Sequence, residues 1–588
     1  DLLTDILQRL GTVWNDEKIP QIEKNLLKER TKKGKYKIIT IKKTASFPEN
    51  IRTILPEEQN FKIADKMVAQ VANSLRISPG KYELEEAKIK INKLIERLVG
   101  LLNSKVAKYE FTQATTLLLE KIDALINDYD KKRLEVRESF DQEIEYVRED
   151  KASRDHNFFL RHYKNYRYLI EKFVQIHPNA VGVLTIKDLK NFLAIVDRIL
   201  NYYSASDIIQ YDIYPTEITI DSDYLTSINY SSIDLPSMEK EYGKEQTQID
   251  LGVIGNKKDV PNSRIPIDDY LEELDHAWQK DSGFSYRNLI VIQKLMRLWP
   301  EYNKNILEKG YYSATLTEIT QVCSECIKDY NSSETEKILE FLTLKSGEIL
   351  KIAGDDRPAN DLPIWEYRKR LSRYSIKPLI KIGRKYFWGP HSVDRACRVW
   401  ESIPFKNLLP IDMNFPSVLS VLSKGHIDME NSLEDKIKEI ATRYKTNIKK
   451  NVYLHKLFPG TVDIGDVDVL VFLQEKNILL NIESKIINPA YCPKDIKRVR
   501  DKIFGRIKSD GSFEKGYLQR VEEREIFLKH NYTQIFRKLG WDAPSQQPKV
   551  ISIFTTQISF WWTKFPPINT KVKFVEIKLL DSFIKGML

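Results

Sequence analysis

The chain has 588 residues, of which 42% are hydrophobic and 30% are charged, and its formal net charge is +10. This length exceeds what a single hydrophobic core serves, so we expect about three or four domains, and the composition is that of a globular protein, which excludes a largely disordered or fibrous chain. Because no run of about 18 apolar residues occurs and the first residues lack a signal-peptide pattern, we expect a cytoplasmic protein without membrane association.

The first 362 residues are predicted to be largely α-helical. Residues 1–80 form a basic mixed region, with nine Lys or Arg and one acid between Lys24 and Lys43. A solvated strand and turn is favoured there over a phosphate-contacting surface. Residues 81–205 repeat apolar positions at helical spacing, which indicates long amphipathic helices. Residues 206–362 begin with strand-like alternation, continue as a polar connection and then become helical.

The segment 363–424 is strongly basic. Eleven Lys or Arg stand against three acids within 364–406, with aromatic residues between them. The pattern around Arg384 predicts a β-hairpin. Basic and aromatic residues together are typical of nucleic-acid contact, through phosphate binding and base stacking. We therefore predict that Arg384, Lys385 and Trp388 contact nucleic acid, with a merely solvated basic face as the alternative.

The pattern of residues 465–485 predicts a second hairpin. This hairpin lies in a predicted C-terminal domain of residues 425–588. Two β-branched, apolar runs flank a short polar loop, and their length favours strands over a helix. We expect Leu473 to pair with Ile478 across this loop. That pairing determines the register of the whole hairpin, because side chains alternate between the two faces of a strand.

Charged residues meet in that register. Counting outward from the loop places Asp468 opposite Glu483 and Asp466 opposite Lys485, on one face of the sheet. Half-buried carboxylates repel each other and lose hydration, so a fold that keeps them usually supplies a cation. Oxygen ligands suit Mg²⁺ or Mn²⁺, and such an ion supports phosphodiester hydrolysis. The alternative is a hairpin whose charges face solvent.

The order helix, strand with Asp, strand with Glu-Xaa-Lys, helix, strand resembles the PD-(D/E)XK nuclease superfamily. The residues that carry the resemblance are Gly465-Asp466-Val467-Asp468, Glu483-Ser484-Lys485 and, more weakly, Leu433-Glu434 and Gln519. The resemblance implies a restriction-endonuclease-like α/β domain with a mixed central sheet, which here follows a largely helical N-terminal region.

The resemblance also implies roles for these residues. The metal ligands would be Asp468, Glu483 and the carbonyl of Ser484, with Asp466 assisting or replacing Asp468. Lys485 would activate or place the attacking water. The helix carboxylate would be Glu434, and Gln519 would be the polar residue of the following helix.

The expected function is that of a Mg²⁺- or Mn²⁺-dependent nuclease, with DNA as the substrate and RNA as an alternative. Residues 486–540 are basic as well, with thirteen Lys or Arg against seven acids, and Arg498 and Arg500 are predicted to contact nucleic acid. Restriction or defence against foreign DNA is one role that the resemblance implies. A homodimer or a protein partner is compatible with the long helices. The competing hypothesis is a non-catalytic nuclease-fold module that binds nucleic acid or protein.

Overall fold

The protein is described by a computed structural model that covers most of the chain. The described residues are 47–138, 145–213, 215–230, 267–299, 309–327, 330–349, 371–406, 409–410, 413–444, 446–459, 464–487, 493–508, 510–557, 566 and 568–588. The basic stretch between Lys24 and Lys43 lies outside them. Within these ranges, no helix carries an apolar stretch long enough to cross a bilayer.

The N-terminal body is helical, as its apolar spacing predicts. Its helices are α1 (Glu58–Ser74), α2 (Leu84–Val106), α3 (Phe111–Glu138), α4 (Glu145–Ile176) and α5 (Ile186–Gln210). They share one hydrophobic core. A small antiparallel sheet packs beside them, in the order β1 (Gly80–Glu83), β2 (Thr216–Ile220), β3 (Thr226–Tyr230).

The middle body combines helices with a second small sheet. Its helices are α6 (Ile267–Ser282), α7 (Tyr286–Arg297), α8 (Leu316–Cys326), α9 (Ser332–Leu342) and α10 (Pro390–Lys406). Its strands are β4 (Tyr312–Thr315), β5 (Ile380–Ile382) and β6 (Lys385–Trp388), in the order β4-β6-β5. The hairpin predicted around Arg384 is therefore present as β5 and β6. Because β4 pairs with β6, the boundary predicted near residue 362 does not separate two cores.

The prediction that Trp388 contacts nucleic acid is wrong. Trp388 is fully buried, and its indole Nε1 donates a hydrogen bond to the carbonyl of Met296 at 3.0 Å. Tyr386, two residues earlier on the same face of β6, is buried as well. Tyr386 and Trp388 thus point to the core, whereas Lys385 on the other face of β6 and Arg384 in the preceding turn are exposed. Their contact with nucleic acid stays a prediction.

A buried carboxylate joins the N-terminal and middle bodies. Asp123 of α3 is fully buried and accepts hydrogen bonds from the first residues of α10: the amide of His391 at 2.9 Å, the amide of Ser392 at 2.8 Å and the Ser392 hydroxyl at 2.8 Å. The unpaired amides at the start of a helix are thus capped from another body. A Cβ at Gly389 would lie 2.1 Å from Asp123 Oδ1, so this approach requires glycine.

The C-terminal domain contains a five-stranded mixed sheet. Its strands are β7 (Thr446–Val452), β8 (Val467–Leu473), β9 (Ile478–Lys485), β12 (Lys549–Thr556) and β13 (Lys573–Glu576), in the order β13-β12-β9-β8-β7. The three strands β7, β8 and β9 are antiparallel, whereas β9, β12 and β13 are parallel. The predicted fold class, a largely helical region followed by an α/β domain with a mixed sheet, is confirmed at this level.

Helices cover both faces of this sheet. The helices of the domain are α11 (Pro416–Thr442), α12 (Leu454–Leu457), α13 (Pro493–Phe504), α14 (Tyr517–Leu539) and α15 (Ile577–Lys585), and a two-stranded ribbon of β10 (Arg506–Ile507) and β11 (Phe513–Glu514) separates α13 from α14. Helices α11 and α15 pack on one face and α14 on the other. Charged groups at the ends of β8 and β9 are therefore largely shielded from water.

We predict that Asp123→Asn lowers the free energy of unfolding by about 2 kcal/mol. In either orientation the new amide nitrogen would face a backbone donor, the amide of Ser392 or that of His391, and a buried backbone group left unsatisfied costs about 1–3 kcal/mol. Urea denaturation measures the change. Asp128→Asn, on the exposed side of the same helix, is the matched control, and equal destabilisation by both variants would contradict the role given to Asp123.

Candidate functional site

The register predicted for the β8–β9 hairpin is confirmed. Leu473 pairs with Ile478 and Val469 with Ile482, and continuing this ladder by one residue brings Asp468 beside Glu483. Lys485 Nζ lies 3.1 Å from Asp468 Oδ2 and 3.0 Å from Glu483 Oε1. One ammonium group thus bridges the two carboxylates. The amide of Ser484 also donates to Asp468 Oδ2, at 2.8 Å.

The expected pairing of Asp466 with Lys485 is wrong. The Asp466 carboxylate lies 3.3 Å from His455 Nδ1, on the short helix α12. Strand β8 begins only at Val467, and Gly465 has a φ of +78°. Because the backbone turns before the strand begins, the alternation of faces does not extend to Asp466.

Burial and charge determine the protonation of this cluster. The exposed side-chain fractions are 5% for Glu483, 16% for Asp468 and 19% for Lys485. Burial, and then the charge of Glu483, raise the pKa of Asp468. Burial by itself would lower the pKa of Lys485, but Glu483 and Asp468 outweigh it, and the pKa is raised. In this arrangement Lys485 is a stable cation, which suits placing a water or neutralising charge better than removing a proton.

Glu434 lies at the edge of the cluster. It belongs to α11, and its Oε2 is 3.3 Å from Lys450 Nζ on β7. Lys450 also forms an ion pair with Asp435 at 2.5 Å. Burial, and then the negative charge of Asp468, raise the pKa of Glu434. Glu434 therefore responds to the charge of the hairpin, as expected of a helix carboxylate beside it, and Lys450 is a second lysine that the sequence pattern does not identify.

Arg524 is the residue at this site that the sequence motifs miss. It lies on α14 with 3% of its side chain exposed, and its guanidinium donates to Glu483 Oε2 and to the carbonyl of Asp466. It thus links the two strands of the hairpin to the helix that covers them. Its position three residues after buried Val521 and four before buried Leu528 gives a signal, since it places a charge within an apolar helical stripe.

Gln519 lies on the following helix, as predicted, and backbone groups engage its side chain there. Its Oε1 accepts a hydrogen bond from the amide of Gly516 at 2.9 Å, and its Nε2 donates to the carbonyl of Phe504 at 2.9 Å. Both ends of the side-chain amide are thus engaged between the end of α13 and the start of α14. The observed role of Gln519 is to hold the start of α14, and its catalytic role stays a prediction.

The two arginines predicted to bind nucleic acid differ in their surroundings. Arg500 Nη1 donates to the carbonyl of Asp212, just after α5, at 2.5 Å, and the side chain is only 16% exposed. Its guanidinium thus connects the C-terminal domain to the helical body, which corrects the prediction. Arg498 is 58% exposed, 3.4 Å from Asp495, and its contact with nucleic acid stays a prediction.

The cluster has the donor chemistry for a hard divalent cation but does not form a preassembled metal site. Carboxylate oxygens are the ligands that Mg²⁺ prefers, and Asp468 Oδ1 accepts no hydrogen bond from the described residues. However, both Glu483 oxygens contact cationic groups. Over the described part of the chain, no three His, Cys, Asp or Glu side chains converge as a metal site. Metal binding would require Lys485 to move from Glu483.

No family model, curated protein or solved structure matches this chain.

We predict that Arg524→Gln destabilises the C-terminal domain by about 3 kcal/mol or more, because breaking a buried ion pair leaves its partner charge uncompensated. Chemical denaturation followed by tryptophan fluorescence measures the loss. Arg520→Gln, an exposed position on the same helix, is the matched control.

A double-mutant cycle tests the partner assigned to Arg524. If the guanidinium compensates Glu483, the double variant Arg524→Gln with Glu483→Gln should lose less unfolding free energy than the two single variants lose in sum. The expected difference is about 1 kcal/mol or more. Strict additivity of the two changes would contradict the assigned contact.

Proposed function

We propose that the C-terminal α/β domain is a metal-dependent nuclease that hydrolyses phosphodiester bonds in nucleic acid, with DNA as the substrate. The observation that carries the proposal is the direct contact of Lys485 with both Asp468 and Glu483 on adjacent, largely buried strands. Two acids and a lysine at the end of a covered sheet are costly to bury. Their presence together favours a chemical role.

The order of elements adds support. Helix α11, the antiparallel strands β7, β8 and β9, helix α14 and then β12, parallel to β9, follow the order of the PD-(D/E)XK resemblance. The Asp stands on the second strand of this series and the Glu-Xaa-Lys on the third. The restriction-endonuclease-like fold is part of the proposal, and restriction or defence against foreign DNA is the setting that the resemblance implies.

In the proposed mechanism Asp468 and Glu483 would hold a Mg²⁺ or Mn²⁺ ion, with the carbonyl of Ser484 as a further ligand. When bound, the ion would supply Lewis-acid chemistry and a bound water of lowered pKa. Lys485, kept cationic by its two carboxylate neighbours, would orient the attacking water and neutralise charge that develops on the phosphoryl oxygen. Arg524 would position Glu483, and Glu434 would adjust the charge around Asp468.

A non-catalytic binding module is the competing function, and one observation favours it. Lys485 and Arg524 already compensate the two carboxylates, so the cluster is satisfied without an added cation. Such a cluster could serve to hold α14 against the sheet. The two functions differ in a measurable way. A nuclease cuts nucleic acid and needs Lys485 and a divalent ion to do so, whereas a binding module does not cut.

We predict that the full chain cuts DNA in the presence of Mg²⁺ or Mn²⁺ and that Asp468→Asn or Lys485→Met lowers the rate by about 100-fold or more. Supercoiled plasmid, linear duplex, single-stranded DNA and RNA assayed in parallel would identify the substrate. Lys476→Met, an exposed lysine in the loop of the same hairpin, is the matched control and should cut at the unaltered rate.

The same assays can reject the nuclease. Chelation by EDTA should abolish the activity, and circular dichroism should show that each variant is folded. Cutting by Lys485→Met at the rate of the unaltered chain would contradict the proposal. Absence of cutting on all four substrates with both ions would favour the binding module.

A further inference from the structure

A short β-ribbon projects between the two helices that follow the hairpin. Arg506 of β10 pairs with Glu514 of β11, and Ile507 pairs with Phe513. The amide of Lys508 donates to the carbonyl of Ser512 at 2.8 Å, closing the tip. Helix α13 ends at Phe504 and α14 begins at Tyr517, so the ribbon is an excursion of about a dozen residues with both ends held by helices.

The root of the ribbon is tightly packed. Gly505 has a φ of +78°, and a Cβ placed on it would lie 2.7 Å from the carbonyl oxygen of Glu514. A Cβ on Gly516 would lie 2.4 Å from the amide nitrogen of Gly505. Gln519 closes the same root through its hydrogen bonds to Gly516 and Phe504. The direction of the ribbon is therefore determined by the two helices.

The root adjoins the acidic cluster. Tyr517, the first residue of α14, follows Gly516 directly. Its ring centre lies 5.4 Å from Lys485 Nζ and 5.4 Å from Lys502 Nζ. The root of the ribbon is therefore one residue from Tyr517, whose ring contacts Lys485. A molecule bound along the ribbon would extend from this point.

The surface of the ribbon is apolar at its centre and basic around it. Ile507 is 75% exposed and its direct partner Phe513 is 54% exposed. Two large apolar side chains side by side in water indicate a binding surface. Residues 502–520 contain two acids, Asp510 and Glu514, and five exposed cations: Lys502, Arg506, Lys508, Lys515 and Arg520. Arg506 is ion-paired with Glu514 at 2.7 Å and Lys515 with Glu523, so the charge offered to a ligand comes from Lys502, Lys508 and Arg520.

We propose that this ribbon enters the major groove of duplex nucleic acid, with Ile507 and Phe513 against the base edges and the surrounding cations on the phosphates. The thirteen Lys or Arg against seven acids over residues 486–540 favour a polyanion, and the major groove, about 12 Å wide, accepts a two-stranded ribbon whereas the narrower minor groove does not. The inference rests on the proposed function, since it assigns to the same domain the element that grips its substrate.

Binding of a fluorescently labelled DNA duplex by the full chain, followed by anisotropy in EDTA, tests the ribbon without any cutting. We expect the double variant Ile507→Ala with Phe513→Ala to bind about tenfold more weakly at constant salt. Lys508→Gln should lower the slope of log affinity against log salt by about one. Ile89→Ala on α2, where the residue is 52% exposed and thus comparable to Phe513, is the matched control and should bind as the unaltered chain does.

The outcomes separate the ribbon from the nuclease. If the unaltered chain binds duplex and the double variant does not, but neither cuts with metal, the ribbon stands and the nuclease fails. If the double variant binds and cuts normally, the ribbon fails and the nuclease stands.

A double variant that changes only the oligomeric state in light scattering would identify a protein-binding surface and overturn the ribbon. No binding by the unaltered chain overturns it as well. Thermal melting confirms folding of each variant.

Discussion

The C-terminal domain depends on the compensation of one buried carboxylate. Glu483 has 5% of its side chain exposed and lies between two cations, Lys485 from its own strand and Arg524 from α14. An uncompensated charge in this position would cost several kcal/mol. The guanidinium also contacts the Asp466 carbonyl, so the same group holds the start of β8. The sheet, its covering helix and the acidic cluster therefore have to form together.

This compensation extends to the proposed substrate surface. Arg524 orients α14 on the sheet. The first turn of that helix carries Tyr517, which adjoins the cluster, and Gln519, which holds the root of the ribbon. In the last two turns of α13, Arg500 contacts the carbonyl of Asp212 beside the helical body. Asp123 joins that body to α10. Polar contacts thus join the helical body to both other parts of the chain. Arg500 links it to the α/β domain, and Asp123 links it to α10.

The two candidate functions are separated by the mobility of one ammonium group. If Lys485 remains on Glu483, the cluster is a complete internal ion network, and the domain binds without turnover. If a divalent ion displaces it, both carboxylates become available as ligands and Lys485 is left beside the reacting group. The same two acids raise the pKa of Lys485, so a divalent ion that binds as proposed would have to compete with a stable cation.

The amino-acid sequence by itself determined the local part of this site. The polar loop and the apolar runs set the pairing of Leu473 with Ile478. The shared face of Asp468, Glu483 and Lys485 follows from that register, because side chains alternate along a strand with a period of two. Only the tertiary structure decided that Arg524, 41 residues from Glu483, completes the cluster. It also decided that Trp388 is core, that Gln519 holds the ribbon and that Arg500 meets Asp212. These contacts join residues that are far apart in the chain. They depend on how the helices pack, which no short sequence pattern specifies.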